Sequence, residues 1–190
     1  KLFVSANSLA GAKTTAFSVV RYGNVMGSRG SIIPFFDSIV KRNGEFIPIT
    51  HNSMTRFMIT LEQGVELVWH AAQDMIGGEI YVKKIPSMKV IDIASAIAPN
   101  IPQKIIGIRP GEKIHEQMIG TEDVPYTYEY KNHFKILPAI EDWYLDKKRI
   151  GEGVSVDKDF IYSSDKNPDW MKKDELLNWI NNNANDLGKI

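Results

Sequence analysis

The sequence has no cysteine. Disulfides, thiolate metal centres and a cysteine nucleophile are therefore excluded, and a reducing compartment is permitted. No apolar run approaches the roughly 20 residues that cross a bilayer, so no membrane partner is expected. An excess of one charge is missing too. Lys+Arg and Asp+Glu both number 23, which leaves no global field to recruit nucleic acid or an anionic membrane. His51, His70, His115 and His133 lack the spacing of metal ligands, so no metal is expected. His115 with Glu116 reads as an exposed pair on a short helix. Neither a serine nucleophile elbow, nor a dinucleotide fingerprint, nor a P-loop occurs, so a serine hydrolase is unsupported. The opening Lys1 to Asn7 has no initiator methionine and no signal-peptide core. Leu2, Phe3, Ala6, Leu9 and Ala10 instead recur at helical spacing with no capping residue before them. They read as the end of a helix begun upstream.

What is present is an ordinary globular composition, 43% hydrophobic and 24% charged over 190 residues. Ala16 to Tyr22 is rich in β-branched and aromatic residues and predicts a strand. Its continuous apolar centre suits burial on both faces of a parallel sheet. A glycine-punctuated turn from Gly23 to Gly30 follows. Ile32 to Lys41 predicts a helix with Ile33, Phe35, Phe36, Ile39 and Val40 on its apolar face, stopped by Gly44. Strands are expected at Glu45 to Ile49 and around Arg56 to Ile59. Thr60 to Gln63 has the capping-box pattern, and the helix it opens should run to about Asp74 with Leu61, Val65, Val68 and Ala72 inward. Gly77-Gly78 turns the chain into a strand at Glu79 to Val82. A helix at Val90 to Ala98 stops at Pro99, and a strand at Lys104 to Ile108 is broken by Pro110-Gly111. Further on, a strand at His133 to Leu137 and a helix at Glu175 to Asn183, packing Leu176, Leu177 and Ile180, flank a charged surface excursion from Glu141 to Asp159. Trp69, Trp143, Trp170 and Trp179 read as core or interface residues. Strands alternating with helices give an α/β class.

Three stretches could carry chemistry, and each has a plain structural reading beside the functional one. The turn at Arg21 to Gly30 sits at a strand's carboxyl end, where ligands of open α/β sheets bind. Its glycines let backbone approach a ligand, Asn24 offers two donors, and Arg29 adds a fork of charge. The glycines could equally serve only to turn the chain. In Met54-Thr55-Arg56-Phe57, an arginine lodged among apolar residues needs a partner, either a phosphate or an internal carboxylate. Ile108-Arg109-Pro110-Gly111-Glu112-Lys113 aims Arg109 and Glu112 at one place, an arginine suiting a diphosphate and a carboxylate suiting ribose hydroxyls. An exposed turn with an ion pair would look the same.

Taken in order, Arg21-Tyr22-Gly23-Asn24-Val25, Ser28-Arg29-Gly30-Ser31, Met54-Thr55-Arg56-Phe57 and Arg109-Pro110-Gly111-Glu112-Lys113 resemble the downstream half of extended short-chain dehydrogenase/reductases that act on nucleotide sugars. Within that superfamily the likeness is to inverting UDP-N-acetylglucosamine 4,6-dehydratases of pseudaminic-acid biosynthesis. Lys83 to Met88 and Lys104 to Ile108 also fit. The resemblance covers Lys1 to about Gly120 strongly and the remainder loosely.

It implies a fold made of the downstream part of a doubly wound Rossmann-type sheet plus a smaller α/β substrate-binding region. Residues 1–120 would hold both, and 121–190 would form a C-terminal α/β extension. It implies that Asn24, Arg56 and Arg109 meet the substrate diphosphate, with Glu112 near the nucleoside. Val25, Met26, Gly27, Ser28 and Arg29 would pass beside the nicotinamide end of NADP. The family's glycine-rich turn, Asp-Lys pair and Tyr-x-x-x-Lys pair would precede this chain, so no catalytic residue is assigned, Lys1 included. Its partners would be a UDP-sugar and the upstream half of the same protein, in a cytoplasmic homo-oligomer. Alone, the chain is expected to give no turnover. The implied chemistry oxidises C4 of the sugar, eliminates water across C5 and C6, and inverts C5. Another dehydratase or epimerase of capsule or lipopolysaccharide synthesis fits the same motifs. So does a non-catalytic sugar-nucleotide-binding module.

Overall fold

A computed structural model of the chain describes residues 2–9, 15–140 and 142–189. Lys1, Ala10 and Glu141, all named above, lie outside the described residues. In chain order the elements are α1 (Leu2–Leu9), β1 (Val19–Arg21), β2 (Asn24–Val25), α2 (Ile32–Lys41), β3 (Ile47–Ile49), β4 (Thr55–Ile59), α3 (Leu61–Asp74) and β5 (Ile80–Lys83). They continue with β6 (Ser87–Lys89), α4 (Val90–Ile97), β7 (Gln103–Ile105), β8 (Gln117–Ile119), β9 (Thr127–Glu129), β10 (His133–Ile136), α5 (Lys147–Ile150), β11 (Val154–Ser155), β12 (Tyr162–Ser163) and α6 (Lys173–Asn182). This is a mixed α/β fold. The chain forms two compact units of three segments each. The first holds Lys1–Tyr22, Glu62–Lys84 and Gln117–Tyr162, and the second Gly23–Leu61, Ile85–Glu116 and Ser163–Ile190.

The first unit is built on a five-stranded sheet in the order β1-β5-β10-β9-β11. β1 and β5 pair in parallel, Val19 opposite Ile80, while β10 runs antiparallel to β5 with Phe134 opposite Val82. β1 stands at one edge of this order and is half-buried along its length, so the two-faced burial expected of it is not realised. The interior strand β5 does bury Tyr81 and Val82 fully. Helix α3 spans the residues its periodicity predicts, but with a different face inward. Gly64, Leu67 and Ala71 are buried, whereas Leu61, Val65 and Val68 are 39%, 45% and 46% exposed. The two stripes differ by one residue, or 100° around the helix. Hydrophobicity alone favours the bulkier row, but Leu67 with the small Ala71 is the pair that seats on the Tyr81 ring. The described part of the excursion, 142–159, is mostly exposed and contains α5 and β11, yet it is pinned from beneath. Arg149 is buried, donates to Glu79 and to the Gly77 carbonyl, and lies 4.2 Å from the Trp143 ring. Trp69, by contrast, is 66% exposed and not a core residue.

The second unit carries a three-stranded sheet, β2-β4-β6, and a two-stranded one, β3-β7, covered by α2, α4 and α6. Its core joins Ile33 and Phe36 of α2 to Ile47, Ile49, Met58, Ile93 and Leu176. α2 spans its predicted residues, and the left-handed position that stops it is Asn43, at φ +52°, one residue before Gly44. Inside the expected glycine turn lies a strand that composition hides: β2 pairs in parallel with β4, Asn24 opposite Met58. Gly23 makes this pairing possible, because a Cβ there would sit 2.5 Å from the Phe57 Cβ. α6 packs Leu176, Leu177 and Ile180 as its spacing predicts, and Trp179 packs against the same core.

Candidate functional site

The carboxyl ends of parallel strands and the amino end of a helix meet in the second unit. β2 leads through the 26–30 turn into α2, β3 ends at Ile49 with Thr50 just beyond it, and the segment after β7 runs past both. Together they enclose a cleft of about 390 Å³ whose wall includes Asn24, Ser31, Arg56, Ile106, Arg109 and Glu112. Asn24, Arg56, Arg109 and Glu112, the four residues for which the sequence leads one to expect substrate contact, therefore line one cavity.

The amino end of α2 is its backbone contribution. Ser31 has extended geometry, and its amide is spent on the Ser28 carbonyl at 3.0 Å. The first-turn amides of Ile32 and Ile33 have no acceptor within the helix, and Pro34 carries none. Such an end concentrates positive potential and suits an anion. The Ser31 hydroxyl oxygen lies buried beside it without a hydrogen-bond partner. Gly30, at φ +76°, has open space where a Cβ would be. The rest of the turn is more occupied than its sequence implies. Met26 belongs to the core, Ser28 Oγ donates to the Val25 carbonyl at 2.8 Å, and the position beside Gly27 is filled by Trp179. Of Val25 to Arg29, only the Arg29 side chain is well exposed.

Arg109 and Glu112 close a tight turn. The Glu112 amide donates to the Arg109 carbonyl at 3.0 Å, and the Arg109 amide returns a bond to Glu112 Oε2 at 3.2 Å. Thr50 Oγ1 donates to Glu112 Oε1 at 3.2 Å. This fixes the Glu112 carboxylate while the Arg109 guanidinium stays exposed.

Arg56 and Asn24 are held differently. Arg56 is 15% exposed; it donates to the carbonyls of Thr55, Lys113 and Ile114, and its Nε lies 3.8 Å from Glu116 Oε1. Its main work is to strap the 113–116 segment in place. Asn24 Nδ2 donates to both Glu116 oxygens, at 2.9 and 3.0 Å, and to the Phe57 carbonyl at 3.2 Å. The Phe57 amide also donates to Glu116 Oε2 at 3.0 Å. Glu116 is thus the residue that sequence reasoning missed. Read as an exposed helical position, it is half-buried in non-helical chain, its neighbour His115 bonding Thr55 through Nδ1 at 2.8 Å. The available signal was the need of Asn24 and Arg56 for an internal acceptor.

The first unit holds a separate polar cluster. Asp74 Oδ2 accepts from Tyr81 at 2.7 Å and from Lys135 at 2.8 Å. Burial opposes the Asp74 charge, but these bonds hold its carboxyl below the usual range. His133 stacks on Tyr130 at 4.6 Å and approaches His70 Nε2 at 3.4 Å. Burial, with the adjacent His70 and Lys135, pushes His133 down to about 4. No group of three side chains able to hold a metal occurs among the described residues.

Known proteins resemble this chain over most of its length. The family described as polysaccharide biosynthesis protein matches residues 1–138. A Campylobacter jejuni serotype O:2 protein named UDP-N-acetylglucosamine 4,6-dehydratase (inverting) is 50% identical over 188 residues, 95% of this chain and 56% of that protein. A Rickettsia bellii protein named UDP-glucose 4-epimerase is 40% identical over 126 residues, 64% of this chain and 37% of its own. Among solved structures, Pen from Bacillus thuringiensis superposes with a TM-score of 0.82 at 34% identity, over 96% of this chain and 55% of that one. The chain spans about half the length of the curated dehydratases it matches, 56% of each. With the family matched over residues 1–138 and the fold shared at a TM-score of 0.82, the chain belongs to the polysaccharide biosynthesis protein family.

Proposed function

We propose that this chain supplies the sugar-nucleotide grip of a UDP-N-acetylglucosamine 4,6-dehydratase that inverts C5, an early enzyme of pseudaminic-acid synthesis. The observation that carries the reading is the shared cleft, with Arg109, Arg56, Asn24 and Glu112 on its wall and the amino end of α2 opening beside them. A diphosphate suits the open Arg109 guanidinium together with the Ile32 and Ile33 amides, since both offer donors and positive potential. Arg56 adds charge from behind. Glu112, fixed by Thr50, offers acceptors to the ribose hydroxyls. The apolar wall at Ile106 leaves room for a base. Holding the substrate at both ends of its diphosphate positions the sugar for reaction.

NADP is the cofactor we assign, and the fit of this chain to it is limited to one edge. Open space at Gly30 and the exposed Arg29 leave the outer side of the 28–30 turn accessible, while Met26 and Gly27 are taken up by core packing. When bound, the cofactor supplies the reversible hydride acceptor. In this reading the acid–base groups come from sequence outside these 190 residues, so the chain alone has no turnover. No helix among the described residues is long and apolar enough to cross a membrane. The reading carries with it a cytoplasmic homo-oligomer.

Relatives named as 4-epimerases favour one competing reading, an epimerase on the same grip. NMR of the product formed by the complete enzyme from UDP-N-acetylglucosamine separates the two. A 4-keto-6-deoxy sugar with inverted C5 is expected. A product that keeps its C6 hydroxyl and differs only at C4 would overturn the dehydratase reading.

A further inference from the structure

A carboxylate that meets no ligand can still decide what a neighbouring side chain offers to one. Glu116 is absent from the wall of the cleft, while Asn24 is part of it. Behind that wall, Glu116 accepts from Asn24 Nδ2 through both oxygens, and the remaining reach of Nδ2 goes to the Phe57 carbonyl. An amide nitrogen has two hydrogens, so the donor side of Asn24 is spent. Its Oδ1 takes no hydrogen bond from the described residues and is not among the buried atoms that lack one. Glu116 is itself fixed. The Ser164 hydroxyl accepts from the Glu116 amide at 2.9 Å, the Ser164 amide donates to the Glu116 carbonyl at 2.8 Å, and the Phe57 amide holds Oε2. A carboxylate can only accept here, so the Asn24 amide cannot flip without setting oxygen against oxygen.

We propose that Glu116 is a positioning residue that turns the Oδ1 atom of Asn24 into the cleft, making Asn24 the acceptor for a hydroxyl of the sugar rather than a donor to phosphate. The inference rests on the sugar-nucleotide reading above and corrects one part of it, the assignment of Asn24 to the diphosphate. The cleft is then divided by chemistry. Donors at Arg109 and the α2 amides take the phosphates, and an acceptor at Asn24 reads the sugar. An unfilled acceptor in such a site disfavours ligands without a matching hydroxyl, which is how a polar pocket discriminates.

Calorimetric titration of the protein with UDP and with UDP-N-acetylglucosamine tests this. Glu116→Ala should weaken UDP-N-acetylglucosamine about tenfold, one charge-supported hydrogen bond, and leave UDP within about twofold. Glu116→Gln, whose oxygen can still accept from Asn24 and Phe57, should restore binding of the sugar nucleotide to within about threefold. Asn24→Asp should weaken the sugar nucleotide by setting two carboxylates together. Adding Glu116→Gln to it should recover much of the loss, because the pair then bonds with donor and acceptor exchanged. A merely structural role would move UDP and the sugar nucleotide together. Equal loss for both ligands, or no loss, overturns the inference while leaving the grip intact. A wild-type protein that binds neither ligand overturns the grip and this inference with it.

Discussion

Replacing Arg109 by alanine removes an exposed cationic group from the wall of the cleft. The Arg109 side chain is exposed and its turn is set by backbone bonds to Glu112, so truncation leaves the fold unchanged. A hydrogen bond to a charged group contributes roughly 1.5–3 kcal/mol. Exposure to solvent and salt places Arg109 at the lower end of that range. The expected effect is a rise of about tenfold in the Kd or KM for UDP-N-acetylglucosamine, with kcat little changed because the interaction exists before and during reaction. The loss should shrink as salt is raised from low to high concentration, since screening already weakens the wild-type contact. NADP affinity should stay the same. Titration calorimetry at two salt concentrations, paired with initial-rate kinetics of the complete enzyme, reads all of these. Unchanged affinity for the sugar nucleotide, or an equal loss for NADP, would refute the reasoning.

Other perturbations test the framework around the cleft. Leu67→Ala should destabilise the protein by about 2–5 kcal/mol and Val68→Ala by no more than about 0.5, as read from denaturant unfolding; the reverse order would restore the face predicted from hydrophobicity. Arg149→Met leaves the fully buried Glu79 with only backbone amides and no cationic partner, and should cost about 3–5 kcal/mol, measured in the same way; a near-neutral result would remove the pair from the core. The depressed His133 is neutral in the folded state and binds a proton more readily once unfolded. Its contribution is full above the ordinary histidine value of about 6.5 and is lost as pH falls from there toward about 4. His133→Phe should flatten that limb of the stability profile, and an unchanged profile would assign it to other groups. Gly23→Ala should lower the melting temperature, because its Cβ would lie 2.5 Å from that of Phe57.

Local pattern sufficed for some elements and failed for others, for identifiable reasons. α2, α3, α4 and α6 were legible because their apolar spacing and stop residues agree with the packing they make. The inward face of α3 was not. Two apolar stripes one residue apart compete there, and the shape of Tyr81 decides between them. β2 was invisible because a two-residue strand inside a glycine turn has no periodicity; only its pairing with β4 defines it. Arg109 and Glu112 could be named because Pro110-Gly111 fixes their turn locally. Glu116 could not, since its partners Asn24 and Phe57 lie 92 and 59 residues away in sequence. A carboxylate is assigned a role by what surrounds it, and that is a property of the fold.

The most direct test of the diphosphate grip is a crystal structure of the protein with UDP-N-acetylglucosamine bound. The account predicts both phosphoryl groups within hydrogen-bond reach of the Arg109 guanidinium and the Ile32 and Ile33 amides, with Glu112 facing the ribose. Phosphates seated on another surface, with Arg109 turned to solvent and the α2 amides bound to water alone, would contradict it.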